Sequence, residues 1–129
     1  NLNISVTIDM LDRSNARDAG LLLRTTGSSI GYDAQRGYFA GLIPNTGLII
    51  FGKTDGETWT ELARQTHRFD PQKKQRLSVT CKDDQFTVSV NGKLMMSVQD
   101  GTYDRGTIGM RVVNTHAVFT DLECSPLEE

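Results

Sequence analysis

Two cysteines, three prolines, one tryptophan and two histidines are all that this 129-residue chain has of those types. Each shortage excludes something. Two cysteines set no disulfide framework, so the core must hold without staples, and the redox compartment stays open. His67 and His116 have no matched partners in sequence, which argues against metal or acid–base roles for them. No run approaches the ~20 apolar residues that a membrane span needs. Lys and Arg are dispersed and the net charge is −2, so the electrostatic footprint of a nucleic-acid binder is missing. Helical periodicity is almost absent. No catalytic signature stands out. Asp100 and Asp104 offer hard oxygens for calcium, but without an EF-hand spacing. The expectation is no metal and no cofactor.

What is present is alternation at period two. Ile4, Val6, Ile8 and Met10 share one face, with Asn3, Ser5, Thr7 and Asp9 on the other. Leu77, Val79 and Cys81 alternate with Ser78, Thr80 and Lys82. Phe86, Val88 and Val90 alternate with Gln85, Thr87 and Ser89. One buried and one wet face is the mark of an antiparallel sheet. Ala19–Arg24 and Leu48–Phe51 are apolar on both sides and should be covered on both. Turn signals separate the runs: Asn91-Gly92, Lys82-Asp83-Asp84, Pro44 to Gly47, and Asp55-Gly56 before Trp59. Nine or ten short strands at this spacing predict an all-β antiparallel sandwich over residues 1–126. Leu127-Glu128-Glu129 reads as a tail outside it. Asp70–Lys74, with Pro71, is the one place for a helical turn. Cys81 and Cys124 are expected as buried free thiols, with a single disulfide as the sharper alternative. Asn3-Ile4-Ser5 matches a glycosylation acceptor, a motif short enough to recur by chance. The chain opens directly into a strand, so a leader or a larger protein is expected before it.

With the strands placed, the sequence resembles carbohydrate-binding module family 66, within the concanavalin-A-like superfamily and known from fructan-degrading glycoside hydrolases. The resemblance rests on Asp9 in the first strand, Ala19-Gly20-Leu21-Leu22-Leu23-Arg24, Gly37-Tyr38, the Gly47–Phe51 strand, Asp70-Pro71, Asp100 through Gly106, Ile108-Gly109-Met110 and Ala117-Val118-Phe119. It implies a jelly-roll that binds a sugar at a chain end, the terminal fructose of levan in the best understood member. It also implies a secreted or cell-surface setting, as a monomer or a module of a larger enzyme; the dispersed charge and the lack of a long apolar run add the expectation of no nucleic-acid or membrane partner. The family often carries a tryptophan before the last strand, where this chain has Val113-Asn114. A different sugar specificity would follow if that ring touches ligand in relatives.

Six residues carry the chemistry for holding a sugar. Asp9 and Asp100 accept two hydroxyl protons at once, and Arg24 donates a planar fork. Tyr38, Trp59 and Tyr103 supply apolar platforms. Asp9 and Arg24 both lie near the ends of early strands and are candidate neighbours. Each residue also has a structural reading. Arg24 suits an ion pair with Asp9 or Asp100. Tyr38 suits the core, its hydroxyl tied to a loop carbonyl, and Trp59 suits an edge plug. Asp100 suits a turn, with Tyr103 exposed beside it. Two other functions compete with a binding module. One is a keto-disaccharide hydrolase, which would need paired carboxylates. The other is a laminin-G-like domain for protein partners.

Overall fold

The computed structural model describes residues 1–10, 18–26, 36–44, 46–69, 73–113 and 117–127. Among these, ten strands form the molecule: β1 Leu2–Met10, β2 Asp18–Thr26, β3 Arg36–Ile43, β4 Leu48–Asp55, β5 Trp59–Thr66, β6 Gln75–Lys82, β7 Gln85–Val90, β8 Lys93–Gln99, β9 Thr107–Val113 and β10 Ala117–Pro126. They make two antiparallel sheets of five. The first, sheet A, runs in the order β10-β1-β6-β7-β8. The second, sheet B, runs β5-β4-β3-β2-β9.

The predicted alternation is what packs them. Ile4, Val6 and Ile8, with Leu77, Val79 and Cys81 and with Phe86, Val88 and Val90, are all buried on the inner face of sheet A. Sheet B meets them with Ala19, Leu21, Leu23, Tyr38, Ala40, Leu42, Ile49 and Phe51. Of the two segments expected to be covered on both sides, Leu22 and Leu48 are only half-buried. Asn91 and Gly92 take φ of 53° and 82°, the two positive values a type I′ hairpin turn needs. Asn91 then ties the turn to the neighbouring strand β6: its N–H donates to the Arg76 carbonyl, and its Oδ1 accepts from the Arg76 N–H, each at 2.8 Å. The tight turn after β6 has Asp83 at φ 53°.

Two expectations change. Cys124 is exposed, because β10 is an edge strand and is exposed along most of its length. Cys81 is buried, and both thiols are free. Tyr103 is half-buried rather than exposed, because its hydroxyl donates to the Thr54 carbonyl at 2.6 Å and its edge meets the Tyr38 ring. The suggested helical turn falls mostly on residues 70–72, outside the described residues, as does the Met10 side chain.

Candidate functional site

Strand direction decides which candidates meet. β1 leaves the Asp83 turn, with Leu2 paired to Cys81, and carries Asp9 to the far end of the sandwich, beside Val118. β2 runs back in the other sheet and delivers Arg24 to the Asp83 end, where its Nη1 donates to the Asp83 carbonyl at 2.7 Å. Asp9 and Arg24 are therefore not neighbours. They are about a strand's length apart, roughly 25 Å. Both close their strands, but the strands run in opposite directions.

Arg24 is placed by a β-bulge. The β2 register shifts against both neighbours near this residue, and Arg24 has φ 51°. A bulge re-aims a side chain. Strict alternation would put Arg24 on the opposite face from Leu23. Instead its guanidinium turns over the Phe86 ring, 4.9 Å from the centroid, and also donates to the Tyr103 carbonyl at 3.0 Å. Gly106 lies directly on the Arg24 backbone with φ +146°, a conformation and a closeness that exclude a Cβ.

Tyr38, Lys53, Asp100 and Tyr103 form a second knot beside it. The Tyr38 hydroxyl donates to Asp100 Oδ1 at 2.7 Å and accepts from the Tyr103 N–H at 3.2 Å. Lys53 Nζ donates to Asp100 Oδ2 at 2.9 Å and to Thr102 Oγ1 at 2.7 Å. The Thr102 N–H closes on Asp100 Oδ1 at 2.9 Å. Burial alone would raise the Asp100 pKa, but the hydrogen bonds from Thr102, Tyr38 and Lys53 outweigh it and hold the carboxyl well below the usual range. Burial first, then the bond to Asp100, pushes Tyr38 up to about 12. The knot clamps the loop of residues 100–106 across the end of the sandwich. Lys53 escaped the sequence reading because it lies 47 residues from Asp100 and follows the apolar first half of its strand, with Thr54 and Asp55 still to come.

Beside this clamp is a cavity of about 210 Å³. Leu2, Leu23 and Ile108 give it apolar walls, Cys81 lies among its lining, and Arg24 enters from the side. Asn1, Asp104 and Arg105 reach it from the surface. Burial pushes the Cys81 thiol up to about 11, so the sulfur is neutral at physiological pH. No group of three His, Cys, Asp or Glu among the described residues is arranged to hold a metal ion.

Trp59 stands at the same end of the molecule but on the outer face of sheet B. It pairs with Thr54, and its indole meets Phe39 edge-on at 6.2 Å. Phe39 follows inward-facing Tyr38 and so points outward. Glu61 and Arg64 share the outer face with Trp59, Gly52 and Ile50, their neighbours across the β4–β5 register. Arg64 Nε and Nη2 grip Glu61 in a two-pronged pair at 2.9 and 3.0 Å. Sequence reading missed both residues, since the bulge between Phe51 and Gly52 breaks the period of β5.

No protein-family model matches the chain. A levanase of Bacillus subtilis (strain 168) is 26% identical over 108 residues, covering 84% of this chain and 15% of the levanase. Among solved structures, a carbohydrate-binding module of family 66 from Bacillus subtilis superposes with a TM-score of 0.86 at 22% identity, over 97% of this chain and 74% of that one. Sheep galectin-11, in complex with glycerol, superposes at 0.69 with 15% identity, over 96% of this chain and 89% of its own. The chain is thus similar in sequence to part of a levanase, and in fold to a family 66 carbohydrate-binding module and to a galectin.

Proposed function

We propose that this chain is a non-catalytic carbohydrate-binding module that holds the terminal sugar of a glycan, the terminal fructose of a fructan such as levan, and anchors an attached glycoside hydrolase to its substrate. The observation that carries the reading is the end cavity, in a chain similar to part of a levanase. At about 210 Å³ it is smaller than the ~300–1,000 Å³ of drug-sized sites, and suits one small ring. Its apolar walls match the C–H side of a sugar. Arg24, Asp104 and Arg105 at its side and rim match the hydroxyls. A pocket of this size has room for one terminal ring rather than for a run of linked sugars. Asp100, Tyr38 and Tyr103 serve this site indirectly, by clamping the loop that carries Asp104 and Arg105. As a domain that spans a small part of its levanase relative, it would work by proximity, raising the effective concentration of the attached enzyme at its substrate.

Calorimetry against levan, inulin and unrelated glycans tests the reading. Single-site sugar binding is expected at millimolar to micromolar Kd, about −4 to −8 kcal/mol. Silence on every glycan defeats it, and release of free sugar replaces it with the hydrolase reading. Cys81 reports the location. In a Cys124→Ser variant, Cys81 is the remaining thiol. Its alkylation by a small neutral reagent at pH 9 should slow at least tenfold in saturating fructose or levan. An unchanged rate with ligand bound moves the terminal ring out of this cavity.

A further inference from the structure

We infer that the outer face of sheet B at Trp59, Glu61 and Arg64 is a second contact surface, which takes the flank of a neutral glycan chain rather than its end. The inference rests on the carbohydrate reading above but uses none of the cavity residues.

The first support is the posture of the indole. A Cβ on Gly52 would lie 2.5 Å from Trp59 Cη2 and 2.6 Å from Cζ2. The six-membered ring of Trp59 therefore rests on bare backbone at Gly52 and can be so low because that strand position has no side chain. Phe39 does the same one strand further in, with its ring laid over Gly41. Phe39 is buried at 2% exposure, with Trp59 on one side and the Arg111 guanidinium 5.1 Å above its ring. Trp59 remains half-exposed. The molecule thus spends a large apolar ring on an exposed sheet face, seated on glycine and braced by a second ring. An edge plug would sit over the gap between the sheets, whereas this ring points away from it.

The second support is the chemistry at its side. Glu61 follows Trp59 by two residues on one face, about 7 Å along the strand. Its carboxylate side chain is 29% exposed and that of Arg64 is 59% exposed. Their pair uses Arg64 Nε and Nη2, so Nη1 lies beyond the pair, and each Glu61 oxygen keeps a further lone-pair direction. An indole, a carboxylate and a guanidinium then offer a stacking surface, acceptors and donors side by side. The two charges cancel. A neutral patch with paired donors and acceptors suits vicinal hydroxyls. It does not suit an anionic ligand, which the Glu61 charge would oppose, or an acidic or basic peptide.

The third support is geometry. An open sheet face has no wall to stop a chain, unlike the cavity. The two surfaces lie at the same end of the sandwich and on different strands: β5 for the platform, β1, β2, β6 and β9 for the cavity. A polymer end in the cavity and a polymer flank on the platform are two events, which need not involve one molecule of glycan. On a dense polymer they combine as avidity.

The experiment uses the only tryptophan as its own probe. Trp59 emission is followed during titration with levan polymer and, separately, with fructose, while calorimetry records binding of both. Levan should change the emission and fructose should leave it unchanged while still binding. A Glu61→Ala/Arg64→Ala double variant should lower the ratio of levan to fructose affinity at least fivefold. Trp59→Phe, which keeps a ring over Gly52, should lower that ratio less than Trp59→Leu. Levan that binds without altering Trp59 emission, or a ratio that stays put in the double variant, overturns the platform and leaves the carbohydrate reading standing. Absence of all glycan binding by calorimetry overturns both.

Discussion

Replacing Asp100 with alanine is expected to lower stability by about 3 kcal/mol at pH 7, through orphaned donors rather than lost packing. Three donors converge on this carboxylate: the Tyr38 hydroxyl, the Lys53 ammonium and the Thr102 N–H. Tyr38 is fully buried, so its hydroxyl has little water to turn to. The side chain of Asp100 is 13% exposed and that of Lys53 is 26%, so the pair is screened less than a surface salt bridge. For a domain of this size the melting temperature should fall by about 10 °C. Asp100→Asn should cost less, since it keeps one acceptor. The pH dependence gives a second check. The folded carboxyl holds its proton more weakly than the unfolded one, so its contribution is complete above the unfolded pKa of about 3.9 and fades as pH falls below it. The stability gap between wild type and Asp100→Asn should narrow from pH 7 to pH 2.5. A gap that does not change would show that the carboxylate charge is not what holds the loop. At the alkaline limb the sign reverses. Tyr38 resists ionisation up to about 12, so stability should be kept below pH 10 and decline as pH rises through 12.

The sandwich was legible because its physics is local. A strand with one wet face must alternate, and β1, β6 and β7 do so in residues that bury as the pattern requires. Asn91-Gly92 was legible because only a few residues accept positive φ twice in a row. The site was legible in kind but not in layout. Arg24, Tyr38, Asp100 and Tyr103 do meet, yet nothing in the Leu21-Leu22-Leu23-Arg24 run announces the bulge that turns Arg24 inward. Gly106, whose contact makes room for that bulge, is 82 residues further along, a separation that no windowed pattern spans. Asp9 and Arg24 look like neighbours in sequence because position within a strand says nothing of which way the strand points. Trp59 was seen, but Glu61 and Arg64 were not, since a bulged edge strand loses the alternation that would have shown their common face.

The aromatic cluster beneath the clamp should show the larger loss. Phe86 is fully buried, with ring centroids 4.5 Å from Tyr38 and 5.2 Å from Phe51. It also floors the Arg24 guanidinium at 4.9 Å. Phe86→Ala is expected to cost about 3–5 kcal/mol, the transfer free energy of the ring plus the void it leaves. The surroundings are poorly placed to collapse into that void. Tyr38 is pinned by its hydroxyl to Asp100, and Arg24 is pinned by the carbonyls of Asp83 and Tyr103. Phe86→Leu fills most of the volume and should cost about half as much, while still removing the cation–π attraction, worth ~0.5–2 kcal/mol. Denaturant titration of both variants reads the stability, and the midpoint should shift without a change in slope if only packing is lost. Binding per folded molecule separates the two roles of the ring. If Phe86 positions Arg24 for a ligand in the cavity, Phe86→Leu weakens fructose binding beyond what its folded fraction explains. If binding follows the folded fraction alone, Arg24 is held by its two carbonyls and the ring serves only the core. A Phe86→Ala protein that melts within about 3 °C of wild type would show that the rings around Tyr38 repack freely, against the pinned geometry from which the cost is argued.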